Sequence, residues 1–113
     1  YDTLVRLMDF LIERGHPVPP VLDSREVLMN PKLVLSKLCQ QVGLAFDPAV
    51  LSWEAGPRPE DGVWAKHWYA SVHRSTGFQT YRAKNEPFPK HLKPLLEECL
   101  PYYDRLYEHA IRA

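Results

Sequence analysis

Residues 19–31 read PPVLDSREVLMNP and carry the strongest indications of the fold. Their short apolar run, Val21-Leu22, follows two prolines and ends at the polar residue Asp23, a pattern typical of a buried strand. A brief turn then leads to Asn30, and an asparagine N-cap followed by proline at the first helical position is a strong helix start. A strand between helices is typical of proteins built around a parallel sheet.

Helical periodicity dominates the chain on both sides of this stretch. Upstream, apolar residues recur at helical spacing, with Asp2 able to cap the helix and Gly15 able to end it in the left-handed conformation. Downstream, a second helix is predicted from Pro31 to Gly43, and Asp47-Pro48 repeats the cap-and-proline signal. We therefore expect a mainly α fold with one short strand, in one small domain that covers residues 1–113.

The second half of the chain is predicted to alternate loops with helices. Residues 54–62 contain two prolines and two glycines and indicate a loop. Residues 63–74 can form one helix, with Gly77 as its end. From Lys90 onward, apolar residues at alternating spacings of four and three predict a last helix that packs onto the domain, and Pro101 must kink or break it.

The single predicted strand has consequences for assembly. A lone strand cannot satisfy its own backbone groups, and a buried strand needs neighbours on both sides. The partner strands are therefore expected either in sequence outside this chain or in a second copy of it, and we favour the first. The chain also starts with Tyr1 inside a predicted helix, so we expect it to be one piece of something longer.

Composition excludes some classes of partner. Lys plus Arg and Asp plus Glu number 14 each, so the formal net charge is zero. Nucleic acids and anionic membranes select proteins with a basic excess, and neither is expected as a partner. There is no secretory signal and no long apolar run, and Cys39 and Cys99 fall in apolar helical patterns that suggest reduced core thiols. We expect a cytoplasmic protein.

Three stretches resemble the P-loop sulfotransferase-like proteins. The first is Pro20-Val21-Leu22-Asp23 with Val27-Leu28 and Asn30-Pro31, and the second is the helix that contains Leu35-Ser36-Lys37-Leu38-Cys39 and ends in Val42-Gly43-Leu44. The third and most specific stretch covers residues 51–78, with Leu51-Ser52-Trp53-Glu54-Ala55-Gly56-Pro57, Asp61-Gly62-Val63-Trp64-Ala65, Trp68-Tyr69 and Arg74-Ser75-Thr76-Gly77-Phe78. The resemblance covers nearly the whole chain but only the carboxyl-terminal half of a typical family member.

The resemblance implies a fold, an activity and a cofactor. The family fold is a parallel sheet with flanking helices, and its activity is sulfuryl transfer from 3′-phosphoadenosine 5′-phosphosulfate (PAPS) to a hydroxyl or amine. A late loop in family members often places Arg and Gly against the 3′-phosphate. It matches Arg74, Ser75, Thr76 and Gly77 here, although the longer basic form of this loop is absent. The glycine-rich phosphate loop is also absent, so no cofactor is expected on this chain alone.

The candidate site residues also have plainer interpretations. Residues 74–77 can cradle a phosphate, or they can be an ordinary helix C-terminus in which Gly77 supplies the reversed turn. The second group can line an acceptor pocket, or it can serve a core or interface, as Trp and Tyr commonly do. Its members are Trp53, Trp64, His67, Trp68 and Tyr69. Asp23, at the end of the strand, is either a site residue or a cap for the next turn.

No catalytic or metal-ligating set can be assembled from the sequence. His67 and His73 lie six residues apart, which is a poor spacing for one helix face, and Asp61 and Glu60 are close only along the chain. Three functions stay open. The first is the carboxyl-terminal portion of a sulfotransferase-like protein, inactive without its P-loop half. The second is an oligomerising binding module that pairs through the strand and the aromatic surface, and the third is a small unrelated enzyme that uses a histidine.

Overall fold

The fold is helical along most of its length. The computed structural model describes residues 1–113 and contains six α-helices and two 3-10 turns. The helices are α1 (Asp2–Glu13), α2 (Ser24–Met29), α3 (Pro31–Gln41), α4 (Ala65–Trp68), α5 (Ala70–His73) and α6 (Lys93–Tyr107). The 3-10 turns are Pro48–Leu51 and Lys90–Leu92. The prediction of a mainly α chain is confirmed.

Local capping explains where two of these elements begin. The Asn30 side chain accepts a hydrogen bond from the Leu33 N–H at 3.2 Å, and Asp47 accepts one from the Ala49 N–H at 2.9 Å. These bonds satisfy N–H groups that the first helical turn leaves without partners. Both predicted cap-and-proline starts are therefore confirmed. Asp2, by contrast, is the first residue of α1, and the N-cap position belongs to Tyr1.

The predicted strand is reduced to a single residue pair. Val21 forms one parallel bridge with Ala110, and the Ile111 N–H donates to the Val21 carbonyl at 3.0 Å. Pro19 and Pro20 have no N–H to extend the ladder in the amino-terminal direction. The prediction of one short strand was right about position and wrong about extent, because a strand needs a neighbouring segment along several residues.

Two further sequence predictions need correction. The helix expected over residues 63–74 is divided into α4 and α5, with Tyr69 between them, and neither packs against any other helix. A helix of about a dozen residues is marginal without tertiary packing, so little holds residues 63–74 in one continuous helix. Gly77 does not supply a reversed helix end. It pairs with Ser52 in an antiparallel bridge, and a Cβ on it would lie 3.1 Å from the Leu51 carbonyl oxygen.

The last helix continues through its internal proline. α6 includes Pro101 and extends to Tyr107, although Pro101 provides no N–H for the Glu97 carbonyl. It packs against α1, where Val5, Met8 and Leu106 form the core cluster together with the half-buried Val21 and Tyr102. The predicted packing of this helix onto the domain is confirmed.

The core is small for the length of the chain. Only 8 of 113 residues are buried, and the radius of gyration is 17.0 Å, whereas a compact domain of this length is expected at about 13 Å. Large apolar side chains such as Leu4, Leu7 and Phe10 on α1 are about half exposed. Much apolar surface therefore lies uncovered on the isolated chain.

Candidate anion-binding turn

The turn formed by residues 74–77 is tied to an earlier segment of the chain. Trp53 N–H donates to the Thr76 carbonyl at 3.0 Å, next to the bridge between Ser52 and Gly77. The Gly56 N–H donates to the His73 carbonyl at 2.8 Å. These bonds hold the main chain on both sides of the turn, so its path is fixed by residues 52–56 and not by helix α5 alone.

The Trp53 side chain adds a second attachment. Its indole N–H donates to Ser75 Oγ at 3.0 Å, and the Ser75 hydroxyl donates in turn to the Val72 carbonyl at 2.6 Å. The indole also meets the Phe78 ring edge to face, with centroids 5.4 Å apart. The hydroxyl proton of Ser75, which was predicted as a phosphate ligand, is thus already used in a hydrogen bond within the chain. Ser75 stabilises the conformation of the turn.

Several donors on the turn have no acceptor within the chain. The N–H groups of Thr76 and Gly77 form no backbone or side-chain hydrogen bond. Arg74 is exposed, and its guanidinium forms no ion pair or hydrogen bond. A guanidinium beside unpaired N–H groups is chemically suited to a phosphate or another oxyanion. The sequence left two interpretations of residues 74–77, a phosphate cradle and an ordinary helix C-terminus. The second requires Gly77 in the left-handed conformation, which Gly77 does not adopt.

A histidine and a carboxylate meet immediately before this turn. His73 Nε2 and Asp61 Oδ2 are 2.7 Å apart, and both side chains are about four-fifths buried. The Arg58 N–H also donates to Asp61 Oδ2, at 2.8 Å. This N–H and, after it, His73 lower the pKa of Asp61 below its ordinary value. Asp61 is therefore ionised and accepts a hydrogen bond from the imidazole N–H.

Sequence reasoning missed this pair because Asp61 lies in a loop twelve residues before His73, and only the path of that loop brings them together. His67 behaves differently, since it is exposed on α4 and its ring has no hydrogen-bond partner. No hydrogen bond joins either histidine to a serine, threonine or cysteine. The arrangement thus contains no activated nucleophile of the kind that the histidine-enzyme hypothesis requires.

The predicted aromatic pocket is divided into separate contacts. Trp64 and Trp68 stack on each other with centroids 5.4 Å apart, and they are 61% and 70% exposed. Tyr69 meets the His73 ring edge to face at 6.0 Å, whereas Trp53 packs on Phe78 as described. Trp64 and Trp68 therefore form an exposed aromatic surface, and neither ring packs against the Trp53 ring.

A mostly apolar cavity lies elsewhere, between α1, α6 and residues 19–24. It has a volume of about 490 Å³ and a mostly apolar lining that includes Leu4, Leu7 and Leu22. Asp23 lies at its polar end. Its carboxylate accepts a hydrogen bond from the Arg25 N–H at 2.9 Å, which caps α2, and another from the Tyr103 hydroxyl at 2.9 Å. Burial first, and Asp23 second, raise the pKa of Tyr103. Asp23 therefore has the capping role that the sequence offered as one alternative.

A second polar cluster surrounds Glu26, the one charged residue that is buried. Its carboxylate accepts hydrogen bonds from the Ala113 N–H at 2.9 Å, from the Tyr107 hydroxyl and from Arg25 at 3.2 Å. The Ala113 N–H contributes most, followed by Tyr107, and together they lower the pKa of Glu26 to about 2. Arg112 covers the Tyr107 ring from 3.5 Å, so the cluster fixes the last residues against α2.

Comparisons with known proteins identify relatives of this chain. A family model described as a sulfotransferase domain matches residues 16–110. Two Arabidopsis thaliana proteins, branched-chain-amino-acid aminotransferase-like proteins 2 and 1, are 41% and 42% identical over 106 residues. The match covers 94% of this chain and 19% of each relative, so the chain spans about a fifth of their length.

No solved structure matches the chain. None of its helices is long and apolar enough to cross a lipid bilayer.

Proposed function

The chain belongs to the family of sulfotransferase domains, and on that premise we propose that it forms the carboxyl-terminal part of a sulfotransferase-like fold. Two stretches support the placement in the carboxyl-terminal part. Residues 20–43 have the order of strand, turn and capped helix that the resemblance implies, and residues 51–78 carry its most specific motif. Residues 1–113 contain no glycine-rich loop followed by Lys and Ser or Thr. We therefore expect no sulfuryl transfer by this chain without a segment that carries that loop.

The proposed contribution of this chain is to bind an anionic group of the sulfuryl-donor molecule. Sulfotransferases in general use PAPS, which supplies the sulfuryl group when it is bound. The residues of the 74–77 turn fit its 3′-phosphate: Arg74 has an unpaired guanidinium, and Thr76 and Gly77 have unpaired N–H groups. The observation that carries the proposal is this set of free donors on a turn to which Trp53 and Gly56 are hydrogen-bonded.

Titration of the chain with adenosine 3′,5′-bisphosphate tests this function. We expect saturable binding by calorimetry, and we expect Arg74→Ala to weaken it about tenfold or more, because hydrogen bonds to charged groups contribute roughly 1.5–3 kcal/mol. Arg82→Ala is the matched control, since Arg82 is also exposed and unpaired but lies outside the turn. Equal loss in both variants would indicate only a general charge effect, and unchanged binding by Arg74→Ala would reject the turn as the site.

The apolar surface supports a proposal about assembly. Val21 pairs with Ala110 on one side only, and the adjoining cavity is lined by half-exposed leucines of α1. We propose that further strands of the sulfotransferase-like fold cover this edge, because the matched relatives are about five times as long as the matched region. The alternative occupant is a second copy of the chain, which would make it an oligomerising module.

Light scattering and circular dichroism of the purified chain distinguish these occupants. If strands outside this chain normally cover the apolar surface, we expect the isolated chain to be a helical monomer that binds the apolar dye ANS. A stable dimer that loses dye binding would favour the assembly module. In that case Leu22→Pro should be compared with Val63→Pro on the exposed loop before α4. The carbonyl of Val21 points to Ile111, so the N–H of the next residue, Leu22, points to the open side of the strand, and proline removes it.

A further inference from the structure

We infer that Asp61 and His73 act as a positioning pair for the 74–77 turn, and that anion binding at the turn is coupled to protonation of His73. The inference deepens the proposed function and rests on it. It assigns a role to two residues to which the resemblance to sulfotransferases assigned none.

The geometry links the pair directly to the turn. His73 is the last residue of α5 and immediately precedes Arg74, and its carbonyl accepts the Gly56 N–H at 2.8 Å. Its ring is bound to Asp61 at 2.7 Å, and Asp61 is itself held by the Arg58 N–H. Both the main chain and the side chain at the start of the turn are thus attached to the 54–62 loop.

Polar bonds are the main constraint at this place. The surrounding apolar side chains are largely exposed, with Trp68 at 70% and Val72 at 58%. Packing therefore contributes little to the conformation of α5, and the direction of the Arg74 side chain depends on the bonds of His73 and Trp53. Loss of the His73–Asp61 bond is expected to disorder the donors that face an anion.

Charge couples this pair to the ligand. With a neutral imidazole, Asp61 and His73 carry one negative charge between them, which repels a phosphate bound by Arg74. With a protonated imidazole their net charge is zero, so the repulsion disappears. The other groups that face His73 are the Tyr69 ring, which is uncharged, and Arg58, which acts on Asp61. Affinity should therefore be higher at pH 6 than at pH 8.

Two substitutions of His73 separate positioning from coupling. In His73→Gln the side-chain amide can still donate to Asp61 but does not titrate, whereas His73→Ala removes the bond. We expect the affinity of the wild-type chain for adenosine 3′,5′-bisphosphate to increase about fivefold more than that of His73→Gln between pH 8 and pH 6. Protonation of the phosphate itself affects every variant equally and cancels in this comparison.

His67→Gln is the matched control, because His67 is exposed and has no partner, and it should follow the wild-type profile. His73→Ala should bind more weakly than His73→Gln at both pH values. If the profiles of the wild type and His73→Gln coincide, the coupling is overturned while the proposed function stands. If His73→Ala binds as tightly as the wild type, the positioning role is overturned. If the wild-type chain binds no nucleotide at any pH, both proposals fail.

Discussion

The indole N–H of Trp53 donates to Ser75 Oγ across 22 residues of sequence, at 3.0 Å, and this bond joins the end of a 3-10 turn to the candidate anion-binding turn. The same tryptophan donates its main-chain N–H to the Thr76 carbonyl. One residue therefore holds the turn at two consecutive positions, Ser75 and Thr76, and leaves the N–H groups of Thr76 and Gly77 free.

Trp53→Phe should weaken this attachment while it preserves most of the ring contact with Phe78. Because the substitution removes one half-buried hydrogen bond, we expect a loss of about 1 kcal/mol in the free energy of unfolding. Urea denaturation followed by circular dichroism measures it. Trp64→Phe is the control, since the Trp64 indole is largely exposed and has no hydrogen bond. A loss of the same size in both variants would argue against a specific role for the Trp53 N–H.

Gly77→Ala should disturb the contact between the two segments. A Cβ at this position would lie 3.1 Å from the backbone oxygen of Leu51, and a backbone atom cannot move aside as a side chain does. We expect destabilisation of about 1 kcal/mol and faster hydrogen exchange at the Trp53 amide. Gly62→Ala meets no atom within 4 Å and should leave both quantities unchanged. Wild-type exchange rates in Gly77→Ala would show that the segments tolerate the extra carbon.

Glu26 should make the stability of the fold sensitive to acid. Its pKa falls from an ordinary value of 4.5 to about 2 in the folded chain, so the folded state favours the ionised carboxylate. This contribution is fully present above about pH 4.5 and is lost as the pH falls from there toward 2. Glu26→Gln should abolish that part of the pH dependence, measured by urea titrations at several pH values.

Glu13→Gln, at an exposed position of α1, is the control for this pH dependence and should retain the wild-type slope. The prediction fails if Glu26→Gln and the wild type lose stability in parallel below pH 4.5, because the acid sensitivity would then originate in other carboxylates.

Asn30→Ala should shorten or fray helix α3. The Asn30 side chain accepts the Leu33 N–H, and the loss of such an N-cap typically costs about 1 kcal/mol. The expected result is a lower midpoint of thermal unfolding together with reduced helical ellipticity. Asn85→Ala, in an exposed loop without a side-chain hydrogen bond, should change neither. If the two variants melt alike, Asn30 does not determine the start of α3.

Much of the helical architecture could be predicted because its causes are local. The caps of Asn30 and Asp47 join residues two or three positions apart, and Gly15 and Gly43 end their helices in the left-handed conformation. Such bonds form wherever the sequence places the right side chain, whatever the rest of the chain does. The likeness to sulfotransferases was also present in the order of residues, and the family comparison confirms it.

Only the tertiary structure determined which residues meet at the 74–77 turn and that the predicted strand is a single bridge at Val21. The pairs Trp53–Ser75, Asp61–His73 and Glu26–Ala113 join residues 22, 12 and 87 positions apart, and no spacing rule predicts them. Each depends on the path of an intervening loop, which apolar periodicity does not specify. Sequence determined most of the helical segments and the starts of those with a side-chain cap, whereas α2 was expected as a turn and residues 63–74 as one helix. The folded chain determined which polar groups are paired, and hence which donors of the 74–77 turn are left for a ligand.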